Sequence, residues 1–184
     1  MKKVLVSLMC HPERVPKIEV PPGDGYEVFV NRTPNYANAY RLAMARAVDG
    51  GMDLVTADSD GYHPPAEILK LAGEAFNVDG PALVLPYRDN IGIQSKSYSL
   101  FFSLIELRRI KDATGGLCRL SNALLLSLPP LKSEDMTVHI EILRHALGSG
   151  AKLVQYPYVS DANDPAGSRR TRHYQWKLLK AALG

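Results

Sequence analysis

Residues 52 to 71 read MDLVTADSDGYHPPAEILKL. Leu54 and Val55, followed by Thr56 and Ala57, make the short apolar run of a buried strand, and two carboxylates, Asp58 and Asp60, stand where it ends. Gly61 then admits a backbone angle that side chains disfavour, and Pro64 and Pro65 suit the first turn of a helix. Beyond them Ile68, Leu69, Ala72, Ala75 and Phe76 recur at helical spacing. Strand, acidic turn and helix in that order put the carboxylates at a strand's C-terminal edge, where open α/β sheets hold their ligands.

Working outward, Lys3 to Met9 reads as a first buried strand, and His11 to Gly25 as a proline-rich connection with no helical period. Tyr26 to Asn31 is a second strand. After Arg32-Thr33-Pro34 comes a helix with Tyr40, Ala43, Met44, Ala47 and Val48 on one face, stopped by Gly50-Gly51. On the other side of the acidic turn, the pattern predicts a strand over Ala82 to Leu85 and a mostly apolar helix over Lys96 to Ile110. A glycine-bearing loop from Lys111 to Arg119 and a short helix from Asn122 to Leu128 follow. Ser133 is placed to cap a helix carrying Met136, Ile140, Leu143 and Leu147. A strand over Lys152 to Tyr156, a basic run to Arg172 and a last helix with Trp176, Leu179 and Leu183 on one face complete the chain.

Strands alternating with helices imply an α/β fold, a three-layer sandwich around a mainly parallel central sheet. The 184 residues are expected to form one domain, with residues 160–184 as a basic, flexible segment and C-terminal helix. The 46 % hydrophobic content suffices for a proper core. With 22 basic and 19 acidic residues the net charge is +3, too weak a bias to mark a nucleic-acid binder. Cys10 and Cys118 belong to no Cys-x-x-Cys pair, and no signal peptide or membrane-spanning run is visible, so a cytoplasmic setting is expected. The last helix, with Trp176 and leucines opposite lysines, is suited to completing the core or to resting on an anionic membrane surface.

Two carboxylates one residue apart can face a single divalent cation, Mg²⁺ or Mn²⁺, shared with a diphosphate. The same pair can also do no more than satisfy turn amides. A buried strand ending Asp58-x-Asp60-Gly61 resembles, too, the first motif of haloacid dehalogenase-like phosphatases, in which the first Asp attacks phosphorus. Ser160-Asp161 and Asp164 could stand in for that superfamily's metal-binding motif. A third reading is a non-catalytic domain that binds a sugar or a nucleotide.

More of the chain brings a more specific resemblance. Asp-Ser-Asp-Gly-Tyr-His-Pro-Pro at 58–65 resembles the Asp-Ala-Asp-x-x-His-Pro-Pro turn of dolichyl-phosphate mannose synthases, which are family 2 glycosyltransferases of the GT-A fold. The helix from Asn35 to Asp49, Tyr87-Arg88, the loop Lys111 to Gly116, the stretch Ile140 to Pro157 and Gly167-Ser168-Arg169 resemble further elements of that family, in the same order. The family's Asp-Asp element after its second strand is missing, and Val6 to Glu13 reads VSLMCHPE in place of its first signature.

The resemblance implies transfer of a sugar, mannose or glucose, from a GDP- or UDP-sugar to a polyprenyl phosphate or another acceptor. It implies that Asp60 and Asp58 hold the Mg²⁺ or Mn²⁺, and that Asp58, Ser59, Asp60 and Arg88 bind the donor. Arg119, Ser168, Arg169 and Arg170 would bind the acceptor phosphate, as guanidinium groups suit. A hydroxyl acceptor would need a base, and Asp112, Glu141 and the Glu134-Asp135 pair are the candidates. The setting implied is the cytoplasm, at the cytoplasmic face of a membrane.

Overall fold

In the computed structural model, which describes residues 2–160 together with Lys177, Lys180 and Leu183, the apolar run after Lys3 is strand β1 (Val4–Met9), buried throughout. Strand β2 (Tyr26–Asn31) lies on one side of it and β3 (Asp53–Asp58) on the other, both parallel to it. Met9 is level with Asn31 and with Asp58, so three strand ends meet at one edge. In the other half of the sheet β4 (Ala82–Arg88) runs parallel to β6 (Lys152–Tyr158). A three-residue strand, β5 (Cys118–Leu120), joins the halves, antiparallel to both β3 and β4, and the order is β2-β1-β3-β5-β4-β6. The sequence places β5 inside a loop. Three residues are too few to show a period, and strand partners on both sides decide their conformation.

Helices cover both faces of the sheet. Helix α1 (Tyr36–Asp49) starts where the Asn35 side chain accepts the Asn38 amide at 3.0 Å. Helix α2 (Pro65–Ala72) has proline in its first turn and runs on into a single 3₁₀ turn, Glu74–Phe76. Helix α3 (Ile93–Ile105) follows β4, and α4 (Asn122–Ser127) is capped by the Ser121 hydroxyl on the Leu124 amide at 3.2 Å. Helix α5 (Val138–Gly148) starts later than Ser133, because the backbone there is held by other groups described below.

Alternating strand residues feed two cores. Leu5, Met9, Leu54, Leu83 and Leu85 pack with α1, α4, α5 and Phe102 of α3. Val4, Val6, Leu8, Val55, Ala57 and Val84 face the other way, onto Ile68 and Leu71 of α2. The connection from β1 to β2 contains no helix. It crosses that second face by burying Ile18 and Val20, which does the covering work of a crossover helix. The result is a single α/β domain with a mostly parallel six-stranded sheet.

Arg119 departs from the phosphate-binding place expected for it. It is fully buried, with Nη2 donating to Asp53 Oδ2 at 2.7 Å and to Asn77 Oδ1 at 2.6 Å, and Nε to Asp53 Oδ2 at 3.1 Å. Nη1 donates to the carbonyls of Leu71 and Gly73 at 3.0 and 2.8 Å, capping the end of α2. Asp53 opens β3, so this pair stands at the opposite edge of the sheet from Asp58. A buried guanidinium is tolerable only when its donors are all met, and here they are.

Of residues 161–184, only Lys177, Lys180 and Leu183 are described. They are helical, and Lys177 Nζ lies 2.6 Å from Asp135 Oδ2. Ser168, Arg169, Arg170 and Arg172 fall outside the described residues, as do Asp161, Asp164, Trp176 and Leu179. Among the described residues no helix is long and apolar enough to cross a membrane.

Candidate active site

The edge where β1, β2 and β3 end opens into a cleft of about 340 Å³. Its floor is Asp58 and Ser59, with Asp60 at the rim, and one wall is the loop with Cys10, His11, Arg14 and Lys17. Thr33, Pro34, Tyr36 and Met136 close the other side. Two backbone bonds fix floor to wall: the Ser59 amide donates to the Met9 carbonyl at 3.0 Å, and the Lys17 amide to the Ser59 carbonyl at 2.9 Å. Ser59 is itself buried. Gly61, at φ 92°, turns the chain away beneath the cleft, a conformation that a side chain would strain.

Asp58 is closely supported. Tyr36 donates its hydroxyl to Oδ1 at 3.1 Å, and His63 Nε2 lies 3.9 Å from Oδ2. The other ring nitrogen of His63 is 2.9 Å from the Tyr158 hydroxyl. Burial pushes the imidazole down to about 4, with the opposing charges of Asp60 and Arg88 of less account, so His63 is neutral near pH 7. Asp60 stands at the solvent-facing rim, where Oδ1 accepts the Tyr62 amide at 3.1 Å in an Asx turn. Partial desolvation, then the neighbouring charge of Asp58, raises its carboxyl above the ordinary value. A bound cation would relieve both effects.

Two oxygen donors of this kind fit Mg²⁺ or Mn²⁺, hard ions that one or two carboxylates hold together with substrate phosphates. Among the described residues no group of three or more His, Cys, Asp or Glu could hold a metal unaided.

Arg88 and Asp112 meet each other, not the cleft. Arg88 Nε donates to Asp112 Oδ2 at 2.7 Å, and Nη2 to Oδ1 at 3.3 Å and to Thr114 Oγ1 at 3.1 Å. The Thr114 amide and hydroxyl add bonds of 3.0 and 2.9 Å to Oδ1. Burial alone would raise the Asp112 carboxyl, but the guanidinium and Thr114 outweigh it and hold it below the usual range. A buried, ion-paired carboxylate is poorly suited to take a proton, which corrects the expected role of a base.

Glu141 is likewise committed. Its two carboxylate oxygens accept the amides of Lys132 and Ser133 at 2.8 and 2.9 Å. Arg41 grips the same loop through the carbonyls of Leu131 and Ser133 at 3.0 and 2.6 Å. Desolvation works against the charged form, yet those amide bonds keep the carboxyl below its ordinary value. Glu141 is a clamp on the loop, which is also why α5 does not begin at Ser133.

No family model matches the chain, and no curated protein matches it either. Solved structures of glucosyl-3-phosphoglycerate synthase from Mycobacterium tuberculosis do. The complex with Mn²⁺, UDP and phosphoglyceric acid matches with a TM-score of 0.66 at 17 % identity, over 98 % of this chain and 78 % of that one. The complex with Mg²⁺ and UDP gives 0.68 at 18 %, over 98 % and 79 %. The complex with Mn²⁺, UDP-glucose and phosphoglyceric acid gives 0.60 at 19 %, over 98 % and 80 %. The chain has a GT-A fold. At these identities the likeness speaks for the fold, and it gives no particular support to a dolichyl-phosphate mannose synthase.

Proposed function

We propose that this chain is a metal-dependent glycosyltransferase that takes a nucleotide-sugar donor into the cleft above Asp58 and Asp60. The observation that carries the reading is one arrangement: two carboxylates, Asp58 on the floor and Asp60 at the rim, lining the same cleft as Arg14 and Lys17, in a GT-A fold. Asp58 and Asp60 would hold Mg²⁺ or Mn²⁺, which would supply positive charge beside the departing diphosphate. Tyr36 and neutral His63 keep the Asp58 carboxylate aimed. Arg14 and Lys17 face the diphosphate, and the loop from Cys10 to Lys17 contacts the nucleoside in place of the missing Asp-Asp element.

UDP and glucose are the favoured donor parts, since the neighbours were solved with UDP and UDP-glucose; GDP and mannose are the alternatives. A phosphate nucleophile is favoured over a hydroxyl for the acceptor, because Asp112, Glu141 and Asp135 are engaged elsewhere. A polyprenyl phosphate, with a second pKa of about 6, is already largely ionised at neutrality and needs no base. Ser168, Arg169 and Arg170 are assigned to that phosphate, and the reaction to the cytoplasmic face of a membrane.

Thermal unfolding with UDP or GDP, with and without Mn²⁺, tests the reading. Stabilisation that requires the metal and disappears in Asp60→Ala is expected. Nucleotide binding indifferent to metal would point to a non-catalytic domain, and phosphate-ester hydrolysis abolished by Asp58→Asn to the phosphatase.

A further inference from the structure

Helix α3 has the sequence IQSKSYSLFFSLI and buries only part of its apolar surface. Phe102 is fully buried, and Tyr98, Phe101 and Ile105 pack against the same core. On the other side Ile93, Leu100 and Leu104 are 83 %, 64 % and 67 % exposed. Separations of seven and four residues bring these three within about 40° of one another around the helix axis. Leu107, just beyond the helix, is 90 % exposed and adopts a left-handed backbone with φ 50°. That conformation costs on the order of 1 kcal/mol for a residue with a side chain, and among the described residues no packing of the exposed leucine compensates it.

Charge around the stripe is one-sided. Lys96 stands within the helix, and Arg108, Arg109 and Lys111 follow Leu107. From residue 91 to 111 the one acid is Glu106, whose carboxylate is 3.1 Å from Arg144 Nε. The helix is also tied to the loop that holds Asp112: the Ala113 amide donates to Ser99 Oγ at 2.9 Å and the Ile110 amide to Ser103 Oγ at 2.8 Å.

We propose that this face of α3 seats on an anionic lipid bilayer, with Ile93, Leu100, Leu104 and Leu107 at the acyl boundary and Lys96, Arg108, Arg109 and Lys111 on lipid phosphates. The proposal does not require the transferase reading. A second copy is the weaker occupant, since a symmetric contact through this stripe sets its cations against their own kind.

The full chain is to be sedimented with vesicles of phosphatidylcholine alone and of phosphatidylcholine with phosphatidylserine in a two-to-one ratio. Binding confined to the anionic vesicles and weakened by salt is expected. Leu100→Asp with Leu104→Asp, and separately Arg108→Glu with Arg109→Glu, are expected to weaken it at least about tenfold. The leucine variant is expected to keep its melting temperature. The proposal is overturned by absence of binding, by equal binding to neutral vesicles, or by variants that bind like the parent. It is overturned as well if the leucine variant melts lower, which gives the face to the chain's own packing, or if it dissociates a dimer in analytical ultracentrifugation.

Discussion

Gly116 lies so close to Asp58 that a β-carbon at position 116 would stand 2.5 Å from Asp58 Oδ2 and 3.1 Å from its Cγ. The aspartate is short and held on its other oxygen by Tyr36, so it cannot yield without leaving its place on the cleft floor. Gly116→Ala is expected to fold and to lose metal-dependent nucleotide affinity by about tenfold or more, read by isothermal titration calorimetry. Unchanged affinity would remove Asp58 from the metal site.

Breaking the Arg88–Asp112 pair takes from a largely buried guanidinium the carboxylate it meets at 2.7 Å. Asp112→Ala is expected to lower stability by about 3 kcal/mol in urea unfolding. The sign with pH follows from the lowered carboxyl: its contribution is complete above the unfolded value of about 3.9 and lost as pH falls through the lower folded value. Asp112→Asn should flatten that acid limb. A base role would instead appear as a lost limb near neutrality in the rate profile.

Arg119 and Asp53 give a contrasting case, far from the cleft. Arg119→Ala is expected to cost about 3–5 kcal/mol, because Asp53 and the end of α2 lose their partner together. Nucleotide affinity of the remaining folded protein should stay unchanged. A selective fall in phosphate-acceptor use without loss of stability would restore the role first expected from sequence.

His63 predicts a pH dependence of the metal-free protein. Its folded value of about 4 lies below the ordinary 6.5, so the unfolded chain binds the proton more readily in between. Stability is then full above about pH 6.5 and falls as pH drops towards 4, by roughly 3 kcal/mol from this group. Urea unfolding in the presence of a chelator, compared with His63→Gln, isolates the effect; a parallel dependence in the variant would dismiss it.

The periodic parts of the fold are plain in the sequence. Strands β1, β2, β3, β4 and β6, the acidic turn at the sheet edge and the main helices follow from local pattern, whereas the cap expected at Ser133 is not found, and Asn35 and Ser121 cap their helices instead. What escapes is set by distant partners. β5 exists because β3 and β4 lie on either side of it, and Arg119 reads as a free cation until Asp53, sixty-six residues away, is seen against it. Asp112 and Glu141 look available for the same reason. Tyr36 and His63 were within reach, the first at helical spacing from Tyr40 and the second inside the quoted turn, but only the folded chain puts both against Asp58.

Strand β3 is hydrogen-bonded on both flanks, so the platform carrying Asp58 is immobilised by its neighbours, whereas the stretch from His11 to Lys17 is coil held by a few bonds. Under the proposed function, chemistry and selectivity fall to different parts of the polypeptide. On that reading, substitutions in the coil that spare the Lys17–Ser59 bond would retune which base is admitted more than they disturb the carboxylates, a separation of duties that lets such a scaffold diversify cheaply.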